Sequence, residues 1–270
     1  MESPDKIKSL VKKKYGQIAM AKDPAGCCGG GDCCSGTDYT VFSDDYSKLE
    51  GYNREADLGL GCGIPTKHAQ LKEGQIVVDL GSGAGNDVFV ARRIVGDKGM
   101  VIGIDMTEAM IEKARENNLK MGYTNVEFRL GDIESLPVTE NTADRVISNC
   151  VLNLVPDKSK AFGEIFRVLK PGGHFAISDI VIEGELPEKI KAAAEMYAGC
   201  VAGAISKNAY LETINAAGFC DVAVVSEKKI ELPDSQLSKY LDAEGLQGFK
   251  KSGAAILSVT VVGNKPLGTD

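Results

Sequence analysis

One junction constrains this 270-residue chain more than any other part of it: Gln75-Ile76-Val77-Val78-Asp79-Leu80 runs directly into Gly81-Ser82-Gly83-Ala84-Gly85. A short apolar run closed by glycine reads as a buried strand. Glycines at alternate positions let the backbone turn sharply into a helix and approach a ligand with no Cβ in the way. The pattern then repeats. Met100-Val101-Ile102-Gly103-Ile104 ends in Asp105, and Val126-Glu127-Phe128-Arg129-Leu130 is followed by Asp132, each apolar run separated from the next by a helical segment. Strands alternating with helices at this pace predict crossover units and a parallel sheet.

The loop also speaks to its ligand. A dinucleotide-binding loop places its third glycine one residue later, whereas glycines at 81, 83 and 85 preceded by an acid at 79 suit a smaller, cationic nucleoside. S-adenosylmethionine fits, because its sulfonium and amino groups are positive and its ribose offers two hydroxyls to a carboxylate. Asp79 answers the positive charge, with Gly81, Ser82, Gly83 and Gly85 forming the cradle. Asp105, twenty residues beyond Gly85, is placed for the ribose hydroxyls, Met106 for the adenine face and Asp132 for the adenine amino group. Each acid taken singly also suits a helix N-cap. It is their concordance at successive strand ends that favours a site.

Further along, a fourth strand is expected over 144–148, a helix carries Phe162, Ile165, Phe166 and Leu169 up to Pro171-Gly172-Gly173, and a fifth strand covers 174–181. Thr107 is expected to cap a helix that packs through Met110, Ile111, Ala114 and Leu119 and ends at Gly122. A long helix over 187–202, a second over 208–217, and β-rich runs at 222–232 and 255–263 complete the chain as an antiparallel edge pair. The expected class is α/β: a Rossmann-like class I methyltransferase fold, with a seven-stranded, mostly parallel sheet, an antiparallel edge strand and helices on both faces. The expected organisation is an N-terminal helix and cysteine-rich mobile segment (1–64), a cofactor-binding core (65–182), and C-terminal helices and strands that cover the site and complete the sheet (183–270).

A net charge of −7 opposes a general grip on nucleic acid. Lys12-Lys13-Lys14, opposite Ile7, Leu10, Val11, Tyr15 and Ile18 on one helix, reads as a solvated face. No apolar run reaches the roughly 18 residues of a membrane span, and the first ten residues lack a signal-peptide core, so a cytoplasmic protein is expected. Its cysteines are then expected as thiols.

Eight cysteines against two histidines is an unusual ratio. Cys27-Cys28 and Cys33-Cys34 are vicinal pairs, and neighbouring Cα atoms about 3.8 Å apart are too close for an unstrained disulfide between them. A structural zinc site usually has residues between the members of each pair, so no structural metal is expected. Cys62 lies between Gly61 and Gly63. Asn149 and Cys150 end the fourth strand, where ligands of open α/β sheets bind, so Asn149 is expected at the cofactor and Cys150 facing the methyl donor. Cys200 falls in the late helix. Cys220, with no motif around it, reads as a small buried hydrophobe.

With these motifs the chain resembles the arsenite methyltransferases. The resemblance is carried by Gly59-Leu60-Gly61-Cys62-Gly63-Ile64-Pro65, Val78-Asp79-Leu80-Gly81-Ser82-Gly83-Ala84-Gly85, Ile104-Asp105-Met106-Thr107, Ser148-Asn149-Cys150-Val151-Leu152-Asn153-Leu154-Val155-Pro156-Asp157-Lys158 and Gly199-Cys200-Val201-Ala202-Gly203-Ala204. It implies methyl transfer from S-adenosylmethionine to trivalent arsenic, with Cys62, Cys150 and Cys200 as arsenic ligands. It also implies an N-terminal cysteine in reduction. Cys33 and Cys34 stand at about the right distance before Cys62, with Cys27 and Cys28 as competitors. Longer relatives carry a further C-terminal region, which leaves the number of methyl groups added open.

Thiolates select soft ions, so three sulfurs suit arsenic better than magnesium or calcium. Transfer to an arsenic lone pair needs alignment more than acid–base chemistry, and two thiols closing a disulfide return the electrons, to be reopened by a thioredoxin-like or glutathione-like reductant. Arsenite or its thiol conjugates are the expected substrate, with no nucleic-acid or membrane partner. Two other readings remain at this level: methylation of a small organic acceptor, and a thiol-rich metal-binding protein without catalysis.

Overall fold

The computed structural model describes residues 3–20, 44–187, 201, 203–231, 237–238 and 242–268. Its seven strands, β1 (Ile76–Leu80), β2 (Met100–Asp105), β3 (Val126–Leu130), β4 (Ala143–Asn149), β5 (Leu169–Glu183), β6 (Cys220–Ile230) and β7 (Ala255–Asn264), form one sheet in the order β3-β2-β1-β4-β5-β7-β6. The first five are parallel, and β7 runs antiparallel to both β5 and β6. The reversed strand therefore lies one place in from the edge, with β6 outside it. Burial accounts for that order. β7 is a nearly unbroken apolar run covered on both faces, whereas β6 alternates and then turns charged, which suits an edge.

Six helices are described: α1 (Pro4–Met20), α2 (Asn86–Val95), α3 (Glu108–Met121), α4 (Lys158–Val168), α5 (Lys207–Ala216) and α6 (Ala243–Ser252). The period of two along each strand divides the core into two layers. Val78, Leu80, Ile102, Ile104, Val146 and Phe175 face α4 and α5, packing with Phe162, Ile165 and Tyr210. Val77, Val101, Ile147 and Ala176 face the other way, against Val88 and Phe89 of α2 and Ile111 and Ala114 of α3.

Some local expectations change. Leu119 is 84% exposed because it falls opposite Met110 on α3, while Asn117 lies on the buried face and its amide donates to the Ala84 carbonyl at 3.1 Å, tying the helix to the glycine loop. Thr107 occupies the N-cap position without a capping side-chain bond. Pro171-Gly172-Gly173 does not separate α4 from β5. It lies within the strand, where the register against β4 shifts and the Gly172 N–H and Gly173 carbonyl pair with Lys265. Helix α6, absent from the sequence reading, has an Asp242 cap accepting from the Gly245 N–H at 2.8 Å and Gly253 at φ 73° beyond its end. The helix expected over 187–202 falls almost wholly outside the described residues. No helix among the described residues is long and apolar enough to cross a membrane.

Candidate active site

A cleft enclosing about 1140 Å³ of empty space, part of it open to solvent, lies over the carboxyl ends of β1, β2 and β4. Asp79, Gly81, Ser82, Gly83, Asp105, Met106, Asp132, Asn149 and Cys150 all line it. Of the expected cofactor residues only Gly85 does not. It stands behind the loop as the N-cap of α2, at φ 101°.

The residues fit a cationic nucleoside. Asp79 is 2% exposed, and no hydrogen-bond donor to its carboxylate is found among the described residues; burial, then the charges of Asp87 and Asp105, push its pKa well above the ordinary carboxylate range. A cation in the cleft would relieve that strain. Ser82 Oγ and Asn86 Oδ1, which line the same cleft, are buried with no hydrogen-bond partner among the described residues. Gly83 stands at φ 51° with nothing within 4 Å of where a Cβ would point, so the loop leaves room there. Asp105 is oriented by its own surroundings, accepting from Gly83 N–H at 3.1 Å and Thr107 N–H at 2.8 Å. Burial raises its pKa and those bonds act against the rise.

Asp132 is less free than its sequence position suggests. Lys8, from α1, reaches both Asp132 and Glu134 at 2.6 Å, while the Glu134 N–H donates to the other Asp132 oxygen at 2.9 Å. Burial works upward on Asp132, but these donors outweigh it and hold its pKa below the usual value. Lys8, Val11 and Tyr15 thereby bring α1 into the wall of the cleft. Lys12 and Lys13 are exposed, as a solvated face should be.

On the other side of the cleft the chain brings sulfur together. Cys62 and Cys150 are 3% and 4% exposed, in one buried cluster with Ile180, Val201, Ala204, Ile230 and Ile256. Cys150 has φ 61°, a left-handed conformation that costs a non-glycine residue on the order of 1 kcal/mol, and its N–H donates to the Ser178 carbonyl at 2.7 Å. Cys27, Cys28, Cys33, Cys34 and Cys200 lie outside the described residues. Cys220 is partly exposed, its thiol 3.4 Å from the Asn264 carbonyl at the far end of β6, so the buried place expected for it is not the one it occupies.

Residues that the sequence did not single out complete the arrangement. Tyr46 and Asp87 are buried and bonded to each other at 2.9 Å, and both meet the Asn149 amide. Asp179, wholly buried next to Ile180 in β5, is pushed up to about 7 by burial, with Ile180 N–H, Lys158 and Tyr210 acting against the rise. Among the described residues no cluster of three or more metal-ligating His, Cys, Asp or Glu side chains is found.

Residues 71–218 match the Methyltransferase domain family. The arsenite methyltransferase of Halobacterium salinarum is 38% identical over 99% of this chain and 68% of its own length. The chain belongs to the arsenite methyltransferase family. The human arsenite methyltransferase is 36% identical over 67% of this chain, and the chain spans about half the length of that relative. Among solved structures, an arsenic(III) S-adenosylmethionine methyltransferase from Chlamydomonas reinhardtii is similar at a TM-score of 0.64 and 35% identity, covering 78% of this chain and 69% of that one. As a member of this family the chain is a methyltransferase that uses S-adenosylmethionine, and the acids and glycine loop of the cleft are the groups that fit it.

Proposed function

We propose that this protein transfers methyl groups from S-adenosylmethionine to trivalent arsenic held by the thiolates of Cys62, Cys150 and Cys200. The observation that carries the reading is the convergence of Cys62 and Cys150, 88 positions apart, in one buried cluster at the edge of the cofactor cleft. Val201, the residue that follows Cys200 in the sequence, belongs to the same cluster.

Bound S-adenosylmethionine supplies an electrophilic methyl on a sulfonium. Asp79 answers the positive charge, Asp105 orients the ribose, and Gly83 allows the close approach. The cysteines hold arsenic as a soft ion on soft ligands, with its lone pair turned to the cleft. The lone pair forms the As–C bond as the S–CH₃ bond breaks, which leaves arsenic formally pentavalent. Two thiolates then leave arsenic as a disulfide, their two electrons returning it to the trivalent state, and a thioredoxin-like or glutathione-like dithiol reductant reopens the bridge. One of Cys33 and Cys34 takes part in that exchange. No proton transfer is needed in the methyl step, so the chemistry rests on proximity and alignment.

The test is direct. Purified protein is incubated with arsenite, S-adenosylmethionine and a thiol reductant, and arsenic species are separated. Methylated arsenic appearing in proportion to S-adenosylhomocysteine supports the reading. Cofactor turnover without methylated arsenic, or no turnover at all, contradicts it.

A further inference from the structure

The loop that carries Cys62 has no regular secondary structure to hold it: between Asp44 and Pro65 the described chain is all turns and bends. Side chains from distant elements do the holding instead. The Cys62 N–H donates to Asn149 Oδ1 at 3.0 Å, the Cys62 carbonyl accepts from Ser258 Oγ, and the Gly63 carbonyl lies 2.8 Å from Asn149 Nδ2 and 2.9 Å from the Tyr46 hydroxyl. Glycine on either side lets the loop press this close. A Cβ at 61 would sit 2.6 Å from the Asn149 amide nitrogen, and one at 63 would sit 2.5 Å from Ser178 Oγ.

Asn149 therefore has two duties. Its backbone leads into Cys150, and its side chain holds the main chain of Cys62, so one residue sets the separation of two sulfurs. It is itself fixed by Tyr46 Oη at 2.8 Å and Asp87 Oδ2 at 3.1 Å, and the Tyr46 hydroxyl reaches both Asp87 oxygens, at 2.9 and 3.1 Å. One phenolic proton and two amide protons are shared among the Asp87 carboxylate, the Gly63 carbonyl and Tyr46 Oη. Asp87 stands in the first turn of α2, directly after the glycine loop, so the joint ties the cysteine loop to the cofactor half of the molecule.

We propose that Tyr46 and Asp87 are positioning residues that hold the Asn149 amide, and through it the Cys62 loop, in the geometry that keeps Cys62 in one buried cluster with Cys150, which lines the cofactor cleft. The proposal rests on the reading of Cys62 as an arsenic ligand, but its geometry can be tested apart from arsenic. Both residues also line the cofactor cleft, and the role assigned to them is to position the Cys62 loop. Both act by fixing where the Cys62 sulfur lies, which a merely stabilising role would not single out.

The experiment compares Tyr46→Phe, Asp87→Ala and Asp87→Asn with the unmodified protein. Three quantities are read: the rate of maleimide labelling at Cys62 mapped by peptide mass, the dissociation constant of S-adenosylhomocysteine by calorimetry, and the KM and kcat for arsenite. Tyr46→Phe removes one oxygen and keeps the ring, so it reports on the joint even if Asp87→Ala fails to fold. The expected result is Cys62 labelling at least fivefold faster in Tyr46→Phe and Asp87→Ala. In Tyr46→Phe arsenite KM should rise about tenfold while S-adenosylhomocysteine affinity stays within threefold; Asp87→Ala also removes a charge that acts on Asp79, so it is read by labelling and arsenite KM, and Asp87→Asn, which keeps an acceptor, should fall between. Labelling within twofold of the unmodified protein in both Tyr46→Phe and Asp87→Ala would overturn the proposal. So would an equal loss of cofactor affinity in Tyr46→Phe, which signals general loosening. If the unmodified protein does not methylate arsenite, the arsenic reading fails, and the labelling arm still decides whether the joint holds Cys62.

Discussion

The two sides of the cleft are built in different ways. The cofactor side is made of strand ends that follow one another in sequence, so that Asp79, Asp105 and Asp132 each close a parallel strand, and the loop between Asp79 and Asn86 is positioned by β1 and α2 on either side of it. The sulfur side is assembled from positions 46, 62, 87, 149, 150, 178 and 258, with much of its geometry carried by side-chain bonds across the chain. A regular sheet supplies the first almost as a by-product of folding. The second depends on particular hydrogen bonds, so single substitutions there should alter alignment while leaving the fold intact.

The largest expected effect separates the two sides most sharply. Cys150→Ser and Cys200→Ser should each lower arsenite methylation by about a hundredfold or more, the scale on which small misplacements act, with S-adenosylhomocysteine affinity within threefold by calorimetry. Full activity in either variant would remove that cysteine from the arsenic site. Asp105→Ala should do the converse. Loss of hydrogen bonds from a charged acceptor, about 1.5–3 kcal/mol, weakens cofactor binding by roughly 10- to 100-fold, while the thiols still bind arsenite. Unchanged cofactor affinity would remove Asp105 from the ribose site.

Asp179, buried in β5 and bonded to Tyr210, offers a pH-based test. Its folded pKa of about 7 stands above the unfolded value of 3.8, so the folded chain keeps a proton that the unfolded chain releases. The resulting stability is fully present below pH 3.8 and is lost as pH rises through 7, with an upper bound on the order of 4 kcal/mol. Urea midpoints measured from pH 5 to 8 should fall with rising pH in the unmodified protein and fall less in Asp179→Asn. Identical slopes would show that Asp179 titrates normally. The smallest effect belongs to Lys8. Its ion pairs are partly exposed, so Lys8→Met should weaken cofactor binding only a few-fold and most clearly at low salt. A salt-independent affinity identical to the unmodified protein's would place α1 outside the cofactor site.

The same contrast governs what the sequence made legible. The glycine loop, the strand-end acids and the parallel core could be read because each rests on local spacing, period two in the strands and a glycine turn at the strand–helix junction. The exposure of Leu119 was legible too, since at 3.6 residues per turn it falls opposite Met110 while Asn117 falls beside it; what spacing could not show is the Asn117 bond to Ala84. Lys8 reaches Asp132 across 124 positions, and Tyr46 reaches Asn149 across 103. Neither carries a local signal. Asp87 stands in a first helical turn, where any acid suits the helix dipole, and only the folded chain turns its carboxylate toward Tyr46. The inner place of β7 was legible in principle, since an unbroken apolar run belongs between two neighbours and an alternating, charged one at an edge.

The central claim is that Cys62, Cys150 and Cys200 meet on one arsenic atom. X-ray absorption at the arsenic edge, on protein loaded with one equivalent of arsenite after the exogenous thiol is removed, counts its sulfur neighbours. The account predicts three in the unmodified protein and one fewer in each of Cys62→Ser, Cys150→Ser and Cys200→Ser. A sulfur count that none of the three substitutions changes would contradict it.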